Sequence, residues 1–228
     1  MEVWHVPLRI PAAAVARWRP ALDAGQRAQA RRLRHPLLRR RAAAAQAALH
    51  ALLARRLGCE ASALRLARGA FGKPHLTHPE AGRGLHFNLS HSGDHALVAL
   101  AAEGPVGVDI EVLDPRVSLE DLLPAFTAAE RAEIGAAPLA ERRWHAWRCW
   151  VRKEAVLKAL GCGLAGGLDR FVVSTGEAAC IVAGDLPGLA PGRWQLAPLD
   201  RPGQWAAAVA WQGPSAAPML RPWRWDAA

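Results

Sequence analysis

A chain of 228 residues can bury a substantial core, as one large domain or two small ones. Its hydrophobic share of 51% and charged share of 21% exclude a disordered chain, and no apolar run is long enough to span a bilayer. The net charge of +9 favours phosphate-bearing ligands, nucleic acid or an acidic protein partner without choosing among them. The first residues lack the basic region and apolar stretch of a secretion signal. Cys59, Cys149, Cys162 and Cys180 lie scattered, without metal-ligand spacing, so a reduced, cytoplasmic protein is expected.

Alternation over residues 2–10 predicts a first strand, with Pro7 pointing to a sheet edge. Pro11 opens a short helix over 11–18, and Asp23 caps another through Leu33. Pro36 opens a long helix that Gly58 ends, with Leu37, Leu38, Ala45, Leu49, Leu52, Leu53 and Leu57 as its apolar stripe. Arg31, Arg32, Arg34, Arg39, Arg40 and Arg41 crowd its approach and first turns. Cations there oppose the helix dipole, and an anion nearby would offset that cost; a solvated basic face is the other reading. Residues 64–67 read as a short strand and 69–74 as a glycine-punctuated turn whose backbone can approach a ligand beside Lys73. A loop over 78–84 leads to a strand over 85–89, a tight connection over 90–94 and a returning strand over 95–101. Ser90 and His91 in that connection suit phosphate oxygens, or are ordinary turn residues.

Gly104-Pro105 reads as a hinge into residues 106–112. There Val106, Val108, Ile110 and Val112 alternate with Gly107, Asp109 and Glu111, so a strand sets the aliphatics on one face and both carboxylates on the other. Two carboxylates so spaced can share a hard cation such as Mg²⁺, or can simply face water. Ser118 caps a short helix, and Thr127 with Glu130 forms a capping box for the next, which assigns Glu130 a structural role. A long helix runs from about Leu139 to Leu160, with Trp147, Val151, Glu154 and Lys158 on one face. Exposed, the Glu154–Lys158 pair means little; facing inward it demands a further partner such as a metal or phosphate. Strands follow over 170–174, 179–183, 193–198 and 204–211, and the last two mirror residues 85–101. Two related halves, 1–104 and 105–228, are expected, with the tail beyond Gly213 covering a sheet edge.

Five motifs taken in order resemble the Sfp-type 4′-phosphopantetheinyl transferases. They are Phe71-Gly72-Lys73-Pro74, Phe87-Asn88-Leu89-Ser90-His91-Ser92, Gly107-Val108-Asp109-Ile110-Glu111, Phe126-Thr127-Ala128-Ala129-Glu130, and the run from Trp150 to Gly161 containing Lys153-Glu154 and Lys158. The resemblance implies an α+β fold of two similar halves related by a pseudo-two-fold, with coenzyme A in the cleft between them. It implies transfer of 4′-phosphopantetheine from coenzyme A to a serine of an apo acyl or peptidyl carrier protein, with adenosine 3′,5′-bisphosphate as the other product. On the same resemblance Asp109, Glu111 and Glu154 bind Mg²⁺, and Lys158 contacts the pyrophosphate. Ser90 and His91 hold phosphates of coenzyme A, Lys73 and Pro74 line the nucleotide end, and Arg41 meets the 3′-phosphate. Gln26 and Gln29 stand where the family often has lysines, with Arg27, Arg31 and Arg32 close by.

The catalytic set is then Glu154, Lys158 and Asp109, with Glu154 or a metal-bound water beside it as base. Lys153, adjacent on the helix, is expected at the surface or facing the carrier. An acidic carrier would use the basic rim, and the internal cleft suggests a monomer. The alternative, a coenzyme A-binding module without transfer activity, has little need of three carboxylates. A nucleic-acid binder would expose its tryptophans for stacking, whereas most fall on apolar faces.

Overall fold

A computed structural model describes residues 1–10, 33–190, 192–214 and 216–225; the helix expected over 11–18 and all but Leu33 of the one expected over 23–33, with Gln26, Arg27, Gln29, Arg31 and Arg32, lie outside them. The fold is mixed α+β. One sheet has the strand order β11-β1-β5-β4, built from β1 (Glu2–Pro7), β4 (His86–Ser92), β5 (His95–Ala101) and β11 (Leu220–Pro222). A second has the order β6-β10-β9, from β6 (Val106–Val112), β9 (Trp194–Pro198) and β10 (Trp205–Gln212). Two small hairpins, β2 (Arg65–Arg68) with β3 (Pro74–His78) and β7 (Phe171–Val173) with β8 (Ile181–Gly184), flank them.

Each main sheet carries one long helix on its outer face. The helix α1 (Pro36–Leu57) packs through Ala45, Leu49, Leu52 and Leu53 on Trp4, Val6, Val98 and Leu100. The helix α4 (Arg142–Leu160) packs through Val151, Ala155 and Ala159 on Ala206, Ala208 and Ala210. Between the sheets lies a third core of Val3, Leu97, Ala99, Val106, Val108, Ile110, Ala207 and Val209. Strand periodicity produces this layering, since alternate residues of β1, β5, β6 and β10 face the partner sheet and their neighbours face a helix. Burying Val108 and Ile110 completely contributes about 1.5–3 kcal/mol each.

Several expectations need correction. Pro7 does not mark an edge strand: β1 has β5 on one side and β11 on the other. Because β11 pairs only with Val3–His5, Pro7 has no ladder bond to lose on that side. The tail does cover the sheet, and Trp225 donates its indole N–H to Pro7 O at 2.8 Å. Ser90, His91 and Ser92 are not turn residues. They continue β4 against Leu97, Ala96 and His95, and the turn is Gly93-Asp94 alone. Residues 74–78, given no strand above, form β3. Leu37 and Leu38 are exposed, and the buried face of α1 is largely alanine. Gly58 does end α1, with φ 64°.

Ser118 caps α2 (Leu119–Leu122), and Thr127 caps α3 (Ala128–Ala136) in a reciprocal box with Glu130. Lys153 is the clearest reversal. Its ammonium is fully buried, paired with Glu130 Oε1 at 2.7 Å and donating to Leu168 O at 2.6 Å. The helix α4 has few solvent-facing positions because β6 and β10 lie on one side and α2, α3 and β7 on the other. Lys153 and Arg152 therefore point into protein and are satisfied by carbonyls and a carboxylate. Among the described residues no helix is long and apolar enough to cross a membrane.

Candidate active site

The site begins with Gly107. A Cβ there would meet Ala155 O at 2.1 Å and Ala159 N at 2.2 Å, so the backbone of α4 lies directly on β6. Only a strand without a side chain at that point admits a helix so close. The close approach brings Glu154 and Lys158 down onto the face of β6 that carries Asp109 and Glu111. The expected partition of β6 holds: Val106, Val108 and Ile110 are buried between the sheets. Its polar face does not look at water, and Asp109 is only 2% exposed.

Lys158 Nζ donates to Asp109 Oδ1 at 2.5 Å and to Ser90 Oγ at 3.0 Å, and Ser90 Oγ donates to the same Oδ1 at 2.7 Å. Ser92 Oγ donates to Glu111 Oε2 at 2.8 Å. Two buried carboxylate oxygens, Asp109 Oδ2 and Glu154 Oε1, have no hydrogen-bond partner among the described residues. Burial raises the Glu154 pKa, the Asp109 charge adds to the rise, and Lys158 opposes it. Burial likewise raises Glu111, against the Ser92 hydrogen bond and with a push from Asp109. The His91 imidazole, on the exposed rim, is held below its ordinary pKa by partial burial and by the Lys158 ammonium. These groups therefore share one electrostatic neighbourhood. Among the described residues no three His, Cys, Asp or Glu side chains stand together as a ready metal cluster. Lys158 supplies the countercharge to Asp109.

The edge of β4 delivers these contacts. Asn88, Ser90 and Ser92 alternate on one face. Asn88 Oδ1 accepts from Val108 N at 2.9 Å and Ser92 Oγ from Val112 N at 3.1 Å, while Ser90 holds Asp109. Side chains of one sheet thus satisfy backbone donors on the edge of the other, which fixes the register of the seam that carries the carboxylates. Sequence reasoning assigned Ser90 to a ligand and missed Asn88 and Ser92; their period of two was the available signal. It missed Gly107 too, although a glycine inside a strand is a known mark of close backbone approach.

Lys73 Nζ donates to Val106 O at 3.0 Å and Ala159 O at 2.8 Å, and burial lowers its pKa to about 8. Lys73 and Pro74 wall a pocket of about 670 Å³ with Phe87, Pro105, Leu160 and Gly161, within the usual range for a small-molecule site. Arg41 is engaged by Asp94: Nε and Nη2 donate to Oδ1 at 2.8 and 2.5 Å, and Arg9 takes Oδ2 at 2.8 Å. Partial burial works against the ionised Asp94, but the two guanidinium partners hold its carboxyl below the usual range. Asp94 is thus the anion that offsets Arg41 near the start of α1, one turn of chain from Ser90 and His91. Ser90, Asp109 and Lys158 are in hydrogen-bond contact, while Glu154, Glu111 and His91 are joined to them through their electrostatic influence. Lys73 and Pro74 line the adjoining pocket, and Arg41 lies beside the β4–β5 turn.

Comparison with known proteins places the sequence among relatives of a known family. The profile of the 4′-phosphopantetheinyl transferase superfamily matches residues 105–210. A putative 4′-phosphopantetheinyl transferase of Synechocystis is 31% identical over 172 residues, covering 75% of this chain and 69% of the relative. The 4′-phosphopantetheinyl transferase HetI of Nostoc is 34% identical over 166 residues, covering 72% and 70%. The 4′-phosphopantetheinyl transferase AcpT of Escherichia coli is 45% identical over 94 residues, covering 41% and 47%.

Proposed function

Because this chain belongs to the 4′-phosphopantetheinyl transferase superfamily, we propose that it moves 4′-phosphopantetheine from coenzyme A to a serine hydroxyl of an apo acyl or peptidyl carrier protein. The observation that carries the reading is the pair of orphaned buried oxygens, Asp109 Oδ2 and Glu154 Oε1, beside the Lys158 ammonium. Unpartnered carboxylate oxygens are costly to bury and ask for a cation. The donor set is all oxygen, which suits a hard divalent ion such as Mg²⁺ held by Asp109, Glu154 and Glu111. When bound, that ion would neutralise charge on the pyrophosphate.

The chain's own residues do the rest. The serine oxygen attacks the phosphorus that bears pantetheine. The bond from that phosphorus to the bridging oxygen breaks, and the electrons leave with adenosine 3′,5′-bisphosphate. Glu154, or a water it holds, accepts the serine proton. Lys158 meets the charge growing on the departing bisphosphate, and Ser90 keeps Asp109 oriented. His91 at the rim and Arg41 beside the turn contribute phosphate contacts, and the pocket at Lys73 and Pro74 takes the nucleotide. Residues 1–104 then supply the coenzyme A contacts and residues 105–228 the carboxylates. Each half is a sheet with one long outer helix, which supports a pseudo-two-fold arrangement with the site between the halves. A cleft internal to one chain fits a monomer, and the free thiols fit a reducing cytoplasm. The acidic surface of a carrier fits the net charge of +9 better than nucleic acid does, since Trp4, Trp147, Trp194, Trp205, Trp211 and Trp223 are buried and unavailable for base stacking.

The test is incubation with coenzyme A, Mg²⁺ and a panel of apo carriers, read by intact mass. The expected result is a gain of one phosphopantetheine on at least one carrier, lost in folded Asp109→Ala and Glu154→Ala. Binding of coenzyme A with no mass gain on any carrier would leave a binding module instead.

A further inference from the structure

Lys73 belongs to the turn before β3, far in sequence from the carboxylates, yet its side chain ends on the catalytic elements. Its Nζ bridges Val106 O, three residues before Asp109, and Ala159 O, the residue after Lys158. Ala159 lies in the last turn of α4, where carbonyls lack an intrahelical partner; Gly161 N satisfies Leu157 O at 2.9 Å, and Lys73 satisfies Ala159 O. A cation at a helix C-terminus is also favoured by the dipole. The Lys73 stem packs against the end of the same helix, since a Cβ on Gly161 would lie 3.2 Å from Lys73 Cδ. Two of the three ammonium donors are thus committed to the protein.

We propose that Lys73 is a positioning residue that pins the C-terminal end of α4 to β6 and so sets where Glu154 and Lys158 stand relative to Asp109. The sequence motif points to Lys73 as a wall of the nucleotide pocket; the geometry assigns its ammonium to the catalytic helix. The claim about catalysis rests on the transferase reading above, whereas the claim about the helix does not. Gly107 lets α4 lie against β6 and Lys73 holds it there, with the pocket that Lys73 also lines alongside.

The experiment replaces Lys73 by Met, which keeps the stem and removes the donors, and by Gln, which keeps a shorter donor. Hydrogen exchange is measured on the chain alone. The expected result for Lys73→Met is faster exchange at Gly161 and over the last turn of α4, with Lys73→Gln intermediate. In steady state kcat should fall about tenfold or more, a larger change than that in KM for coenzyme A, as for a displaced catalytic group. A raised KM with unchanged kcat and unchanged exchange would make Lys73 a ligand contact and overturn the proposal. Unchanged exchange and kinetics would overturn it equally. If Lys73→Met fails to fold, Lys73→Gln carries the same readouts. A wild-type chain that modifies no carrier would sink the transferase reading while leaving the exchange result to judge the pin.

Discussion

Gly107→Ala tests the packing on which the site depends. The added Cβ would stand 2.1 Å from Ala155 O and 2.2 Å from Ala159 N, both backbone atoms of α4, where ordinary contact begins at 3.4 Å. No side-chain rotation relieves such a clash, so the helix must withdraw by more than about 1 Å or β6 must bend. Lys158 Nζ now lies 2.5 Å from Asp109 Oδ1, and a shift of that size takes the pair out of hydrogen-bond range. Misplacement by about 1 Å can cost about 10²-fold in rate, and overpacking about 1–3 kcal/mol in stability. Gly135→Ala is the control: nothing lies within 4 Å of its Cβ, it sits in exposed α3, and alanine there should stabilise by roughly 0.5–1 kcal/mol. Carrier modification by intact mass and thermal melting read both effects. A Gly107→Ala protein with the parent's melting temperature and modification rate would refute the account of how α4 meets β6.

Lys153→Met should destabilise by about 3–5 kcal/mol in denaturant titration, because it strands the buried Glu130 carboxylate; a loss below about 1 kcal/mol would mean that pair contributes little. His5, stacked on Trp205 with its Nε2 3.0 Å from His95 Nδ1, has its pKa lowered to about 4 by burial and by His95 and Arg201. Since the unfolded imidazole takes a proton near pH 6.5 and the folded one only near 4, stability should fall as pH drops through that window. His5→Gln should flatten the decline in melting temperature between those values, and an unchanged slope would show that His5 does not cause it. Arg41→Ala should weaken coenzyme A more than dephospho-coenzyme A in binding assays, and equal losses would argue against a 3′-phosphate contact.

Much of the local structure was legible in the letters because it depends on neighbours in sequence. The alternation of residues 106–112 sorted aliphatics from carboxylates. Gly58 and Gly161 closed their helices, and Thr127 with Glu130 formed the expected box. The ordered motifs also pointed to the family. What periodicity could not supply was the environment of each face. Lys153, next to Glu154 on the helix and pointing away from it, is expected at the surface or facing the carrier, but α4 is enclosed on both sides and a carboxylate from α3 waits for it. Pro7 looked like an edge because the partner strand β11 lies more than 200 residues away. Ser90 is expected to meet phosphate because a hydroxyl suits phosphate oxygens, and Lys73 to line the nucleotide end on the family resemblance. Folding first turns Ser90 onto Asp109, and Lys73 onto carbonyls of β6 and α4. Sequence alone determined which residues carry charge and on which face of which element they sit. Only the packing of the two sheets and α4 decided what that charge meets, because those contacts join segments distant in the chain and their energy depends on burial that no local pattern records.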